Sequence, residues 1–182
     1  MSDLSSSCTL FDTAVGRCGI AWSQSAITAF QLPEASDAGT LRRMSGSGSL
    51  LPQAEPPTWV QDVIDRVVAL LRGERVDLRD VPLDFDGISP FDRRVYEASR
   101  QILAGHTRTY GEIATALGEP VTASRGVGRA LGANPFAVIV PCHRVLAAGG
   151  KAGGFSAGGG VTTKLKILLI EQAQIGNEPS LF

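Results

Sequence analysis

The chain has 182 residues, enough for one full domain or two small ones at roughly 100–200 residues per domain, and long enough to fold without disulfide staples. With 43% hydrophobic and 19% charged residues it is neither disordered nor collagen-like, and no run approaches the roughly 18 uncharged apolar residues of a membrane span. The net charge of −1 conceals an asymmetry: residues 1–88 carry 7 basic and 12 acidic side chains, net −5, and residues 89–182 carry 10 and 6, net +4. The average argues against a phosphate-rich partner, whereas the split is that of an acidic accessory part carrying a basic working part.

The stretch Met1–Cys8 has no basic segment followed by an apolar one, so no export signal is expected. Three cysteines, an odd number, suit a reducing cytosol better than a disulfide framework. The apolar runs Cys18–Trp22 and Ala26–Phe30 predict strands joined by turns, and the Ser-, Gly- and Pro-rich Leu41–Pro57 predicts a loop. Thr58 is expected to cap a helix to about Arg72. Its stripe of Trp59, Val60, Val63, Ile64, Val67, Val68 and Leu71 has helical spacing, and Gly73 stops it. Residues 77–90, rich in Pro and Asp, are the best domain link, dividing the chain into 1–84, 85–176 and a tail at 177–182.

Ser89-Pro90 predicts an N-cap with Pro at the first helical position, opening a helix that ends near Gly105. Thr109-Tyr110-Gly111-Glu112 has the capping-box form and starts a short helix that Gly118 can end. Thr122 opens a second helix through Arg125, Val127 and Leu131 to Gly132. Two short helices around a four-residue turn predict a helix-turn-helix. Asn134-Pro135 predicts a turn, Phe136–Val140 a fully buried strand, and a last helix runs from about Thr163 to Gln174.

Cys142 and His143 follow Pro141, whose ring fixes its own φ and pushes Val140 into an extended conformation. A cysteine is a nucleophile as thiolate, and at an ordinary pKa only a few per cent is ionised at neutral pH, so a neighbouring base is needed. Adjacent residues of an extended segment point to opposite sides, which favours a relay through water over direct contact. Taken as an isolated dipeptide, Cys-His is more often a core cysteine beside a surface histidine. Gly149–Phe155 suggests a phosphate loop and fails the test, since Val145 stands where the first glycine is needed and Ala152 lacks the magnesium hydroxyl. Cys8, Cys18 and His106 have no paired zinc spacing, so no metal and no cofactor are expected.

Pro141-Cys142-His143-Arg144-Val145, with Asn134-Pro135 before it, resembles the active-site motif of the O6-alkylguanine-DNA alkyltransferases, the methylated-DNA–protein-cysteine methyltransferases. The resemblance covers about residues 90–175. It includes Thr109-Tyr110-Gly111, Ser124-Arg125-Gly126-Val127-Gly128, Phe155-Ser156 and Lys164 with Glu171 seven residues on; the first half is matched weakly, at Asp12–Gly16. It implies an α/β protein with an N-terminal ribonuclease-like sheet-and-helix domain and a C-terminal, mostly α, winged helix-turn-helix domain. It also implies a single-use transfer of an alkyl group from O6 of guanine in double-stranded DNA to Cys142 by a cytoplasmic monomer. In that reading His143 takes the thiol proton through water, Glu171 orients His143, and Tyr110 protonates the leaving base.

Ser156 would contact the O6 side, and the Cys142 and Val145 carbonyls the exocyclic amine. Asn134, Leu131, Phe155 and Lys164 would complete the base site, although a lysine early in a helix is more often a solvated charge. Arg125 would enter the base stack in the minor groove as the base is turned out, with Ala123, Ser124 and Gly128 small enough for close approach and Arg129 near phosphate. Phe155 stands where many relatives have Tyr, and Ala157–Gly160 lengthens the loop. Some relatives carry a structural zinc, for which this sequence holds no clear ligand set. A non-enzymatic sensor of alkylated DNA and a cysteine hydrolase are the alternatives, both disfavoured by the intact Pro-Cys-His-Arg-Val.

Overall fold

A computed structural model describes residues 6–156 and 159–173. Strands β1 (Ser7–Thr13), β2 (Gly16–Trp22) and β3 (Ile27–Gln31) form an antiparallel sheet in that order. The first turn closes at Thr13, whose hydroxyl donates to the Gly16 carbonyl at 2.7 Å. Gly16 has φ +121°, and a Cβ there would lie 2.9 Å from the Pro33 side chain, so only glycine fits.

Helix α1 (Asp37–Met44) occupies part of the stretch expected as a loop. Ser36 caps it by accepting from Gly39 N at 3.0 Å, and Arg42 and Arg43 sit in its last turn, where cations favour the dipole. Only Thr40 and Met44 are buried, so its apolar pattern is too thin to stand out. Helix α2 (Thr58–Leu71) buries Val60, Val63, Ile64, Val67, Leu70 and Leu71, while Trp59 and Val68 are half-buried. At about 1.5–3 kcal/mol per fully buried aliphatic side chain this face is a main source of stability. The N-cap is Pro57, with no side-chain cap from Thr58. Residues 77–90 are no loose tether. Ile27 N donates to Pro82 O at 2.8 Å, Asp84 N to Ile27 O at 2.9 Å, and Arg100 to the Leu78 and Val81 carbonyls at 2.8 Å each.

Helix α3 (Pro90–Ser99) starts on the expected Ser89 cap with Pro90 in the first turn, but ends at Ser99, not near Gly105. Strand β4 (Arg108–Thr109) leads into α4 (Tyr110–Ala116), where both bonds of the Thr109–Glu112 capping box are present. A 3-10 turn at Val121–Ala123, not a helix from Thr122, precedes α5 (Ser124–Gly132). Helices α3, α4 and α5 pack together, and the Tyr96 hydroxyl donates to Ala130 O at 2.8 Å. Strand β5 (Val145–Leu146) pairs in parallel with β4. Helix α6 (Gly160–Ile170) begins before Thr163 and ends at Ile170, short of the expected Gln174, because the chain turns at Glu171 and Gln172 has φ +53°; the tail lies outside the described residues.

Phe136–Val140 is buried throughout but is not a strand. Phe136 bridges Phe30, then the chain folds back so that Val140 N donates to Phe136 O at 2.8 Å, with Val138 at φ +72°. A buried turn is as continuously apolar as a buried strand, so periodicity cannot separate them. A β-branched residue in the left-handed region costs on the order of 1–3 kcal/mol, and here dense packing holds it. One apolar cluster runs from Ile20 and Val67 through Tyr96 and Val127 to Val140 and Ile167, and a smaller one seats Met44 of α1 on the sheet. No helix among the described residues is long and apolar enough to cross a membrane.

Candidate active site

Pro141 (φ −80°, ψ 64°) makes a three-residue turn in which Cys142 N donates to Val140 O at 2.8 Å. Cys142–Arg144 then forms a single 3-10 turn, closed by Arg144 N to Pro141 O at 2.9 Å, so Cys142 and His143 are not in an extended segment as expected. With the Phe136–Val140 turn before them, three linked turns thus fix the cysteine by backbone alone. Cys142 is 8% exposed and lines a cleft of about 780 Å³ with Tyr110, Arg125, Leu131, Phe155 and Ser156. Burial raises its thiol pKa, partly countered by a hydrogen bond from Asn134 and the Lys164 charge. Cys142 therefore rests as a thiol, and to act as a nucleophile it would need a base.

The candidate is the next residue in the chain. His143 is fully buried, and its Nε2 is 2.9 Å from Glu171 Oε1. Burial lowers the His143 pKa more than Glu171 raises it, so the imidazole is neutral at pH 7. Burial pushes the Glu171 carboxyl up, but His143 and the fixed guanidinium charge of Arg144 outweigh it and hold the group at about 2. A carboxylate only accepts, so Nε2–H must donate, which leaves the Nδ1 lone pair free to take a proton. Nδ1 has no hydrogen-bond partner among the described residues.

Arg144 is the functional residue that sequence reasoning missed. Its Nε and Nη2 grip both Glu171 oxygens at 3.0 and 2.7 Å, and its Nη1 donates to Ile102 O at 2.6 Å. An arginine between an apolar run and Val145 was the available signal, since charged residues are buried only when paired.

Asn134 ties α5 to the buried turn, donating to Val140 O at 3.0 Å and accepting from Phe136 N at 2.9 Å. Lys164 is fully buried, contrary to the solvated reading. Its Nζ donates to Val145 O at 2.7 Å and lies 5.7 Å from the Tyr110 ring centroid and 6.0 Å from that of Phe155. Burial lowers its pKa to about 8 and raises that of Tyr110, so the phenol remains a donor at neutral pH. Gly153, at φ +68°, admits the phenol closely, because a Cβ there would lie 3.0 Å from its oxygen.

Along the rim, α5 presents Ser124, Arg125 and Gly128 to the cleft. Ala123 and Arg129 lie outside that lining on the same segment, and Arg125 and Arg129 are exposed. Val145 is buried and outside that lining, and its carbonyl accepts from Lys164 Nζ. Ser156 Oγ donates to Gly132 O at 2.7 Å, holding the loop to the end of α5. Among the described residues no group of three His, Cys, Asp or Glu side chains could hold a metal ion.

A family model described as the DNA-binding domain of 6-O-methylguanine DNA methyltransferase matches residues 90–173. The methylated-DNA–protein-cysteine methyltransferase of Mycobacterium tuberculosis is 39% identical over 154 residues, 76% of this chain and 90% of that one. The chain belongs to this family. The crystal structure of Mycobacterium tuberculosis OGT in complex with DNA superposes with a TM-score of 0.73 at 35% identity, covering 91% of this chain and 92% of that one, which makes the fold α/β of the same kind. A DNA base-flipping protein of Thermus thermophilus is 42% identical over 122 residues, 67% of this chain and 79% of its own.

The ion network also sets an acid limit. Glu171 titrates near 2 in the folded chain against 4.5 when free, and His143 below its free 6.5. Both values are depressed by folding, so their stabilisation is complete above about 6.5 and is lost as pH falls toward about 2, where the unfolded chain binds more protons. Urea unfolding at about pH 7, 5 and 3 should show a falling midpoint. A smaller fall is expected in Glu171→Gln; an equal fall there would remove Glu171 as the cause.

Proposed function

We propose that this protein repairs DNA by moving one alkyl group, methyl above all, from O6 of guanine to Cys142 Sγ, irreversibly and once per molecule. The observation that carries the reading is a buried cysteine at the floor of a cleft, backed by a neutral histidine whose outer nitrogen is held by an ionised, arginine-clamped glutamate. The Sγ–C bond forms as the C–O6 bond breaks. The electron pair of that bond leaves on the purine, and the thiol proton goes to His143 Nδ1 through water. Tyr110 supplies the proton that makes guanine an acceptable leaving group, and Lys164 beneath its ring steadies the charge left on the phenol. The product is a thioether with no leaving group for water to displace, so the thiol does not return.

In this reading residues 1–84 are a ribonuclease-like domain and residues 85–176 a winged helix-turn-helix domain, although one core joins them. Helix α5 enters the minor groove of double-stranded DNA with Ala123, Ser124 and Gly128 closest and Arg129 against phosphate, while Arg125 takes the place of the base turned into the cleft. Asn134, Leu131, Val145, Phe155 and Ser156 shape the base site. The protein works as a cytoplasmic monomer without cofactor.

Intact mass after incubation with duplex containing O6-methylguanine tests this. One added methyl in the wild type and none in Cys142→Ala is expected. A duplex bound without any mass gain would instead identify a sensor of alkylated DNA.

A further inference from the structure

The loop that lines the alkyl cleft is held from two sides, and the second anchor comes from the N-terminal half. Arg43, in the last turn of α1, donates through Nη2 to the backbone carbonyl of Ser156, 113 positions away. Its Nη1 pairs with Glu34 Oε1 at 3.2 Å, and the same oxygen accepts from Gln31 Nε2 at 3.1 Å. Glu34 is thus fixed to the end of β3 and aims the guanidinium. On the other side the Ser156 hydroxyl donates to Gly132 O at the end of α5. Arg43, Gln31, Asn134, Cys142, Phe155 and Ser156 also share a second cavity of about 250 Å³ on the side of the cysteine facing the sheet.

We propose that Arg43 is a positioning residue for alkyl transfer, a strut from α1 that holds Phe155 and Ser156 over Cys142. The proposal rests on the alkyl-transfer reading. Glycines 149, 150 and 153 take positive φ before this point, so the chain here has little stiffness of its own, and Arg43 and Gly132 supply the two ends of its support. Arg43 touches no reacting atom. It acts by raising the fraction of molecules whose loop is already placed when the base arrives, which appears in the transfer rate at saturating duplex and not in affinity for plain DNA.

The test compares wild type, Arg43→Ala and Arg43→Lys. Loss of one such hydrogen bond corresponds to about a 3- to 10-fold change in an equilibrium or rate. In Arg43→Ala the single-turnover rate at saturating O6-methylguanine duplex is therefore expected to fall about 3- to 10-fold, with faster amide hydrogen exchange in residues 150–156 and unchanged affinity for undamaged duplex. Lysine can still donate to the carbonyl, so Arg43→Lys should recover most of the rate and the protection. Arg43 is half exposed, so neither variant threatens the fold. Unchanged rate and exchange in Arg43→Ala would overturn the proposal, as would a loss that lysine does not rescue or one matched by weaker binding to plain duplex. If wild type transfers no alkyl group, the repair reading fails, while the exchange arm still decides whether Arg43 holds the loop.

Discussion

Glu171→Leu is expected to cost about 3–5 kcal/mol of stability, because it strands the Arg144 guanidinium in the interior. Both charges are nearly inaccessible, at 8% and 1% side-chain exposure for Arg144 and Glu171, so water cannot take over either role. The double variant Arg144→Met with Glu171→Leu removes both charges and should regain most of that stability, since an apolar pair of similar volume often replaces a buried ion pair without loss. Transfer should not recover with it. His143 Nε2 would have no acceptor, the tautomer that leaves Nδ1 free would no longer be enforced, and the rate should stay about 10²–10⁴-fold below wild type. Urea unfolding and single-turnover alkyl transfer on the same three proteins decide the matter. A double variant that is stable and fast would show that Glu171 serves folding alone.

Elements built on local chemistry were legible in the chain itself. Ser89-Pro90 and Thr109–Glu112 are satisfied by atoms three residues away, so a linear reading suffices for them. The stripe of α2 was equally plain, because a long helix on a sheet repeats its burial every turn. Features set by distant residues were not. Lys164 looks like a solvated charge until the Val145 carbonyl and two aromatic rings close over it. Phe136–Val140 has the composition of a strand, and only the packing around Val138 forces it into a turn. Arg144 is named by the motif, but its grip on Glu171 spans 27 positions and belongs to the tertiary structure.

The charge split takes on a physical meaning at α5. Arg125 is exposed beside the cleft with small residues around it, and among the described residues no other Lys or Arg lines that cleft. A helix so equipped neutralises few phosphates and binds backbone weakly and with a shallow salt dependence, so one side chain should matter more to the lesion than to the duplex.

Arg125→Ala is therefore expected to keep affinity for undamaged duplex within a few-fold and to react much more slowly with O6-methylguanine in duplex. Turning a base out costs a few kcal/mol, and losing the side chain that fills its place returns part of that cost to the barrier, a drop of roughly 10- to 10³-fold. Free O6-benzylguanine needs no extrusion to meet the cleft, so any reaction it has with Cys142 should be unchanged in the variant. That contrast separates a role in turning the base from a role in chemistry. Equal slowing of the free base would mean that the substitution had disturbed the cleft, whose lining includes Arg125, and an unchanged duplex rate would remove Arg125 from the flipping step. Salt provides the second axis: the log–log slope of duplex affinity against salt should shrink by at most about one phosphate equivalent in Arg125→Ala, while the loss in duplex reaction rate persists at every salt concentration, because filling the vacated stack is a contact of shape and not of screened charge.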